Sequence, residues 1–271
     1  MKLNPHKILV SALVVLGLMA AMGNALADDK QTLAKDAQNP IASLISLPLQ
    51  NNTNFGVGPQ DKTQNIFNIQ PVYPFSIGEN WNLITRAVIP VISQPAFTPD
   101  QSREFGLGNT SLTGFFSPKQ ASAWTWGVGP TFVVPTNTDE RLGQDLWSAG
   151  ASFVALTLPG NWVMGALISN VWSVGGSGPD ENGMLLQPFL NYNIPDGKGW
   201  YLSSVPIITA NWEAEDSSDV WTVPVGGGVG KVFKLGKQPM NAQMQAFYNV
   251  VKPEFGANWQ LRLQLQFLFP K

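Results

Sequence analysis

The chain contains no cysteine and a single histidine, His6. Without cysteine there is no disulfide framework, no thiolate nucleophile and no thiolate metal site. His6 lies in an N-terminal segment that is expected to be removed, so the mature chain offers neither residue. Most nucleophile and base pairs, haem sites and ordinary zinc sites are excluded together, and neither catalysis nor a metal or cofactor is expected. Charge is scarce as well: Asp, Glu, Lys and Arg make up 13% of the residues. After Asp28 no run reaches the roughly 18 consecutive apolar residues of a membrane-spanning helix, so any membrane residence must be by strands.

What the N-terminus does contain is an address. Lys2 and Lys7 precede an apolar run, Ile8 to Met22, too short to span a membrane, and Ala25-Leu26-Ala27 before Asp28-Asp29 forms an A-x-A cleavage site. A signal peptide over residues 1–27 is expected, an uncleaved anchor being the competing reading. Its removal takes away Lys2 and Lys7, leaving 14 basic against 18 acidic residues and a formal charge of −4. No nucleic-acid footprint is present.

The remainder divides into runs of strand length bounded by turn residues. Twelve strands are predicted: 42–55, 65–75, 81–93, 106–117, 124–135, 146–158, 161–174, 183–194, 199–212, 220–234, 239–251 and 258–269, the first being the weakest. Short connections (Ser76–Asn80, Pro118–Ala123, Pro159-Gly160, Pro195–Lys198, Leu235–Gln238) alternate with longer ones (Gly56–Gln64, Gln94–Phe105, Thr136–Asp145, Gly175–Asn182, Glu213–Asp219, Lys252–Ala257). Bacterial outer-membrane barrels have brief periplasmic turns, longer external loops and an even strand count. The fold class is therefore all-β: an antiparallel up-and-down transmembrane β-barrel of about 12 strands over 42–271. A short N-terminal periplasmic segment, 28–41, precedes it, helical up to Pro40 with Leu33, Ala34 and Ala37 on one side. This segment either plugs the barrel from below or frays.

Within strands apolar and amide residues alternate. In the last, Trp259, Leu261, Leu263, Leu265, Phe267 and Phe269 share one face, and Gln260, Arg262, Gln264 and Gln266 the other. Met240, Ala242, Met244, Ala246, Tyr248 and Val250 likewise oppose Asn241, Gln243, Gln245 and Asn249. Phe67 and Ile69 oppose Asn68 and Gln70, while Trp81, Leu83 and Ala87 oppose Asn82 and Arg86. Exposed strands of soluble proteins usually carry Lys and Glu; uncharged amides suit a confined wet lumen. The lumen candidates are Arg86, Arg262, Asn68, Gln70, Asn82, Gln187, Asn191, Gln243, Gln245, Gln260, Gln264 and Gln266. Strand 199–212 departs from the rule, since Val205 and Ile207 share the lumen face, and Asn170 falls on the lipid face with Trp162 and Trp172. Either that end of the strand lies outside the bilayer or a bulge shifts its register.

Acidic residues concentrate in the longer loops, as loops are polar by default. Prolines at 71, 74, 90, 130, 188, 206 and 224 interrupt predicted strands and remove ladder donors. Bulges that bend the wall, or a wall opened locally for lateral passage, would accommodate them. Gly226-Gly227-Gly228-Val229-Gly230-Lys231 lacks the following Ser or Thr and the helix of a phosphate-binding loop, so its small residues are read as room for a neighbouring side chain.

Nine of the ten tryptophans fall near predicted strand ends, where an indole meets the boundary between hydrocarbon and water. Trp81, Trp124, Trp126, Trp162 and Trp200 follow short turns and are assigned to a periplasmic ring, with Trp126 one step deeper. Trp147, Trp172, Trp212, Trp221 and Trp259 border long loops and are assigned to an outer ring.

Three stretches, Gln38–Gly58 (QNPIASLISLPLQNNTNFGVG), Gly127–Thr136 (GVGPTFVVPT) and Val223–Lys271, carry a resemblance to the family of outer-membrane proteins named for the MetA pathway of phenol degradation. Its members often bear the labels transporter or neuromedin U. The C-terminal stretch is the most specific. The resemblance implies a barrel in the outer membrane of a Gram-negative bacterium and a channel linked in some members to uptake of aromatic compounds. It offers no catalytic motif to carry over.

The expected function is passive passage of small solutes, with aromatic or hydrophobic compounds among them. The expected partners are outer-membrane lipid, small-molecule solutes and, during biogenesis, the barrel assembly machinery. Arg86 and Arg262 sit mid-strand with no Asp or Glu of lumen parity in any predicted strand. They either bias the pore toward anions or are neutralised by Asp28, Asp29, Asp36 or a loop acid. Three alternatives make different predictions: a structural or adhesive surface protein has a blocked lumen, a hydrolase must work without His or Cys, and a soluble exported β-protein extracts without detergent.

Overall fold

Alternating apolar and polar residues can bury one face only if the strands pair, and in lipid every edge must pair. The computed structural model describes residues 27–270 except Ala121 and Asp196, with the backbone alone for residues 27–31. The expected signal peptide lies outside the described residues but for Ala27. The helix α1, Ala27–Gln38, is followed by strands β1 (Ile45–Val57), β2 (Lys62–Ile69), β3 (Val72–Ile77), β4 (Trp81–Gln94), β5 (Glu104–Leu107), β6 (Thr110–Pro118), β7 (Thr125–Val134), β8 (Asp145–Thr157), β9 (Trp162–Ser177), β10 (Asn182–Asn193), β11 (Trp200–Ser204), β12 (Ile208–Asn211), β13 (Trp221–Leu235), β14 (Gln238–Val251) and β15 (Trp259–Phe269).

Three pairs of segments, β2 and β3, β5 and β6, and β11 and β12, are single traversals interrupted at Gln70-Pro71, Gly108-Asn109 and Val205–Ile207. The wall is thus twelve antiparallel strands, each paired with its sequence neighbour, and it closes where β1 meets β15 from Ile45↔Phe269 to Phe55↔Trp259. The first strand, the weakest in the sequence, forms half of that closure.

The strands extend further than the loop-length pattern implies. β1 continues to Val57 and β2 starts at Lys62, and β9 runs to Ser177 with β10 starting at Asn182, so two of the six longer connections close as the tight turns 58–61 and 178–181. Ladder bonds between projecting strands replace loop in both places. Register shifts occur between Phe55 and Val57, Trp147 and Ser148, and Val223 and Pro224. None touches Asn170, which pairs with Ala151 and Met184 in unbroken register. Its side-chain oxygen accepts from the Trp212 indole N–H at 3.0 Å, and its amide donates to Asn182 at 2.9 Å, so this outward amide is satisfied without a bulge.

Helix α1 stands in the barrel mouth beside the turn at Gly160, whose carbonyl accepts from Lys35 at 2.7 Å. Ala34 packs with Tyr201 and Val232, and Leu33 and Ala37 pack there and on Ala42, Leu44 and Leu268. The side named in the sequence is the side that docks, and Gln38 and Asn193 exchange two hydrogen bonds at its end. Gly230 on β13 leaves the space that Tyr201 fills: a Cβ there would lie 2.2 Å from the ring.

Candidate functional site: the lumenal cavity

Among the described residues the two lumen arginines have no acidic partner. Arg86 donates from Nη2 to the Gln70 side-chain oxygen at 2.7 Å. Arg262 donates to Asn52 at 3.1 Å, to Gln260 at 3.0 Å and to the Val205 carbonyl at 2.7 Å, and its face lies over the Phe247 ring. Among the described residues the ion pairs are those of Arg141 with Glu104, at the start of β5, and with Asp139 in its own loop. Neutralisation by Asp36 or a loop acid is therefore not what the structure has; the side chains of Asp28 and Asp29 lie outside the described residues. Amides take the place of carboxylates around both guanidiniums, and an amide oxygen satisfies a donor without cancelling its charge.

Both arginines line a cavity of about 910 Å³, counting its open mouth, between α1 and the middle of the barrel. Of the predicted lumen residues, Gln70, Arg86, Gln187, Asn191, Gln243, Arg262, Gln264 and Gln266 meet there. Asn82, Gln245 and Gln260 do not line it: Asn82 donates to Ser43, Gln245 to Ser203 and Gln260 to Asn54. Asn68, opposite Gln50 in the ladder, lies outside the lining as well.

Sequence reading missed the buried Gln50, Asn52 and Asn54 on β1, which face the half-buried Gln264, the buried Arg262 and the half-buried Gln260 across the closing ladder. The alternation in QNNTN is hidden because polar residues occupy both faces. Asn51, Thr53 and Asn65 point to the other side and satisfy one another through side-chain hydrogen bonds.

The lumen is not uniformly wet. On the side of β4 to β10 it is filled by Ile84, Phe115, Val154, Leu156, Val163 and Phe189, all buried, with Val205 packed against them. Gln50, Gln243, Arg262, Gln264 and Gln266 line the opposite wall, while Arg86 on β4 and Gln187 and Asn191 on β10 edge the apolar side, so the cavity runs along the boundary between an apolar and a polar half. Asp36 is the one carboxylate among its lining residues and sits at the helix end.

The indoles are distributed around both rims. Trp81 meets Trp126 edge-on at 6.0 Å, and Trp212 meets Trp221 edge-on at 5.3 Å. Trp162 packs on Tyr192, Trp259 on Tyr248, and Trp200 under the Lys231 ammonium. Trp124, Trp147 and Trp172 are exposed. The glycine-rich run from Gly226 to Lys231 lies within β13 and pairs with β14, in strand conformation throughout.

A closed, up-and-down twelve-stranded barrel with outward aromatics and a half-polar interior is the architecture of a transmembrane β-barrel. No protein-family model matches the chain, and no curated protein matches it. Among solved structures, an outer membrane channel from Pseudomonas putida F1 is similar at 17% identity over 83% of this chain and 94% of that one, with a TM-score of 0.62. The outer membrane phospholipase A of Escherichia coli (13% identity, 84% and 96% coverage, TM-score 0.43) and the P. putida toluene transporter TodX (11%, 88% and 91%, 0.37) resemble it more loosely. The first likeness shows the fold; the other two are too loose to carry chemistry across. The barrel that the sequence resemblance implied is thus shown by the fold.

Proposed function

We propose that the chain is an outer-membrane channel for passive passage of small solutes, biased toward anionic and polarisable ones, aromatic and other partly hydrophobic compounds included. The observation that carries this reading is the cavity holding two guanidiniums amid amides. Its positive charge is uncompensated by any ion pair among the described residues. Such a site raises the local concentration of anions. Amides hydrogen-bond a passing solute without trapping it, and the apolar half accepts an aryl or alkyl body.

In this reading the signal peptide delivers the chain to the envelope and the assembly machinery inserts it. Trp81, Trp124, Trp126, Trp162 and Trp200 mark the periplasmic interface, and Trp147, Trp172, Trp212, Trp221 and Trp259 the outer one. Helix α1 then stands at the periplasmic mouth. The phospholipase likeness brings no activity with it, as a mature chain without His or Cys has no ordinary nucleophile and base pair.

Planar bilayer recording tests the reading. Wild type should favour anions, and Arg86→Gln/Arg262→Gln should bring the permeability ratio roughly threefold or more toward unity. Unchanged selectivity would overturn the anion bias. Absence of conductance, together with no permeation of sugars, amino acids, phenols or aromatic acids in liposome swelling, would favour a blocked surface protein.

A further inference from the structure

Odd-numbered residues of β1, β2 and β4 face outward, and along most of their length they are apolar. Toward the longer connections the rule fails. Asn51 and Thr53 on β1, Thr63 and Asn65 on β2 and Ser93 on β4 are polar, and register joins them: Phe55↔Thr63, Thr53↔Asn65 and Asn65↔Ser93. The tryptophans at that end of the barrel stand on β8 (Trp147), β9 (Trp172), β13 (Trp221) and β15 (Trp259) and just past β12 (Trp212), whereas β1 to β7 carry none there. The polar patch lies in that gap.

Polar groups facing lipid need partners. Asn51 and Asn65 exchange hydrogen bonds at 2.9 and 3.0 Å, and Thr53 donates to Asn51 at 3.1 Å and accepts from Asn65 at 3.0 Å. Arg103, exposed and just before β5, lies across the top: Nη1 donates to the Ser93 hydroxyl at 3.0 Å and carbonyl at 3.4 Å, and Nη2 to the Thr63 carbonyl at 3.1 Å. It has no ion pair among the described residues, since neighbouring Glu104 is taken by Arg141. Left without an acceptor there are the Arg103 Nε–H, one Nη2 hydrogen, the Ser93 hydroxyl hydrogen and one Asn51 amide hydrogen. The patch is therefore positive and has donors to spare, and what covers it must bring negative charge and acceptors. A second copy of the chain would bring the same donors. From the level of Thr63 to Asn51 is four residues of tilted strand, roughly 10 Å of depth, so the partner's acceptors must extend well below its charge.

We propose that this patch seats the head of a phosphorylated glycolipid of the outer leaflet. A phosphate takes the free edge of the Arg103 guanidinium and the Ser93 hydroxyl, where charge-assisted bonds are strongest. The acyl carbonyls beneath the sugar accept from Asn51, and the chains run on over Phe67, Val91 and Leu107, the apolar row below, with Phe105 alongside. The lipid supplies at one place the charge, the acceptors and the hydrocarbon that the wall presents in that order from rim to middle. The site rests on the outward placement of the longer connections in the proposed function and is independent of conduction.

Titration of the barrel in dodecyl maltoside micelles with diphosphoryl lipid A, read by native mass spectrometry, tests the site. Wild type should retain one molecule, and phosphatidylglycerol should be held about tenfold less tightly or worse. Arg103→Gln should weaken retention of lipid A about tenfold or more, the effect of losing hydrogen bonds to a charged group. Lys119→Gln, which removes an exposed cation at a short turn, should leave it unchanged. Asn51→Leu/Asn65→Leu should weaken it severalfold while keeping the heat-modifiable gel band, because leucine suits a lipid-facing wall. No retention by wild type, equal retention of phosphatidylglycerol, equal loss with Lys119→Gln, or a dimer that disappears in Asn51→Leu/Asn65→Leu each overturns the proposal. The chain's lack of cysteine lets orientation be read separately, by labelling Thr98→Cys on intact cells with a membrane-impermeant maleimide. Label is expected; its absence would overturn the outward placement, and with it the outer leaflet as the source, whatever the micelles show.

Discussion

Tyr201 shows how a single residue joins wall, lumen and helix. Its hydroxyl donates to Asn241 at 2.7 Å, Asn241 donates on to Gln266 at 3.1 Å, and the ring supports Ala34. Tyr201→Phe should cost about 1 kcal/mol, the net worth of one hydrogen bond, read from the midpoint of urea unfolding in vesicles. Gly230→Val is expected to be worse, about 1–3 kcal/mol, because added methyls must displace a ring that has nowhere to go. Of these two, sequence anticipated only that the glycine run makes room. That Tyr201 is the occupant follows from strand pairing, which puts Gly230 opposite it.

At the scale of elements, α1 is the part most easily separated from the barrel. It docks through a few small side chains and the Gln38 and Asn193 pair, so Ala34→Glu, which buries a charge against Tyr201 and Val232, should release it. Larger single-channel conductance and faster proteolysis of residues before Pro40 are the expected readouts. Asp36 keeps an outer edge in solvent while the barrel mouth desolvates the rest, and that desolvation raises its carboxyl above the ordinary carboxylate range. The docked helix therefore binds the proton more tightly than the released one. Docking is fully favoured below the ordinary range and loses that contribution as pH rises through the raised value. Proteolysis of the segment should thus slow on acidification, and Asp36→Asn should remove the dependence. The helix and its docking side were legible because Leu33, Ala34 and Ala37 share a face. Which wall received them was not.

For the molecule as a whole, closure is the source of stability: with no disulfide available, every strand is held by two neighbours. The barrel should run as a compact band after detergent extraction without heating and shift on boiling. Ile84→Asp, an unpaired charge in the apolar half of the lumen, should abolish that band, since burying it costs several kcal/mol. Arg86, on the same strand and face, is tolerated because Gln70 reaches it.

Strand number and outward faces were written in the sequence wherever the two faces differ in chemistry. β14 and β15 alternate apolar with amide residues, and alternation by twos has one meaning in a sheet. Where both faces carry the same kind of residue the letters are silent. Asn51 and Asn52 differ only in direction, and Ile84 and Val163 have the parity of the lumen face but the chemistry of the lipid face, so only the packed structure shows that this side of the interior is apolar. Sequence also placed the prolines in the strands but could not tell a bulge from an interrupted ladder such as Val205–Ile207. Pro188 and Pro206 are set face to face only by the register in which β10 pairs with β11 and β12.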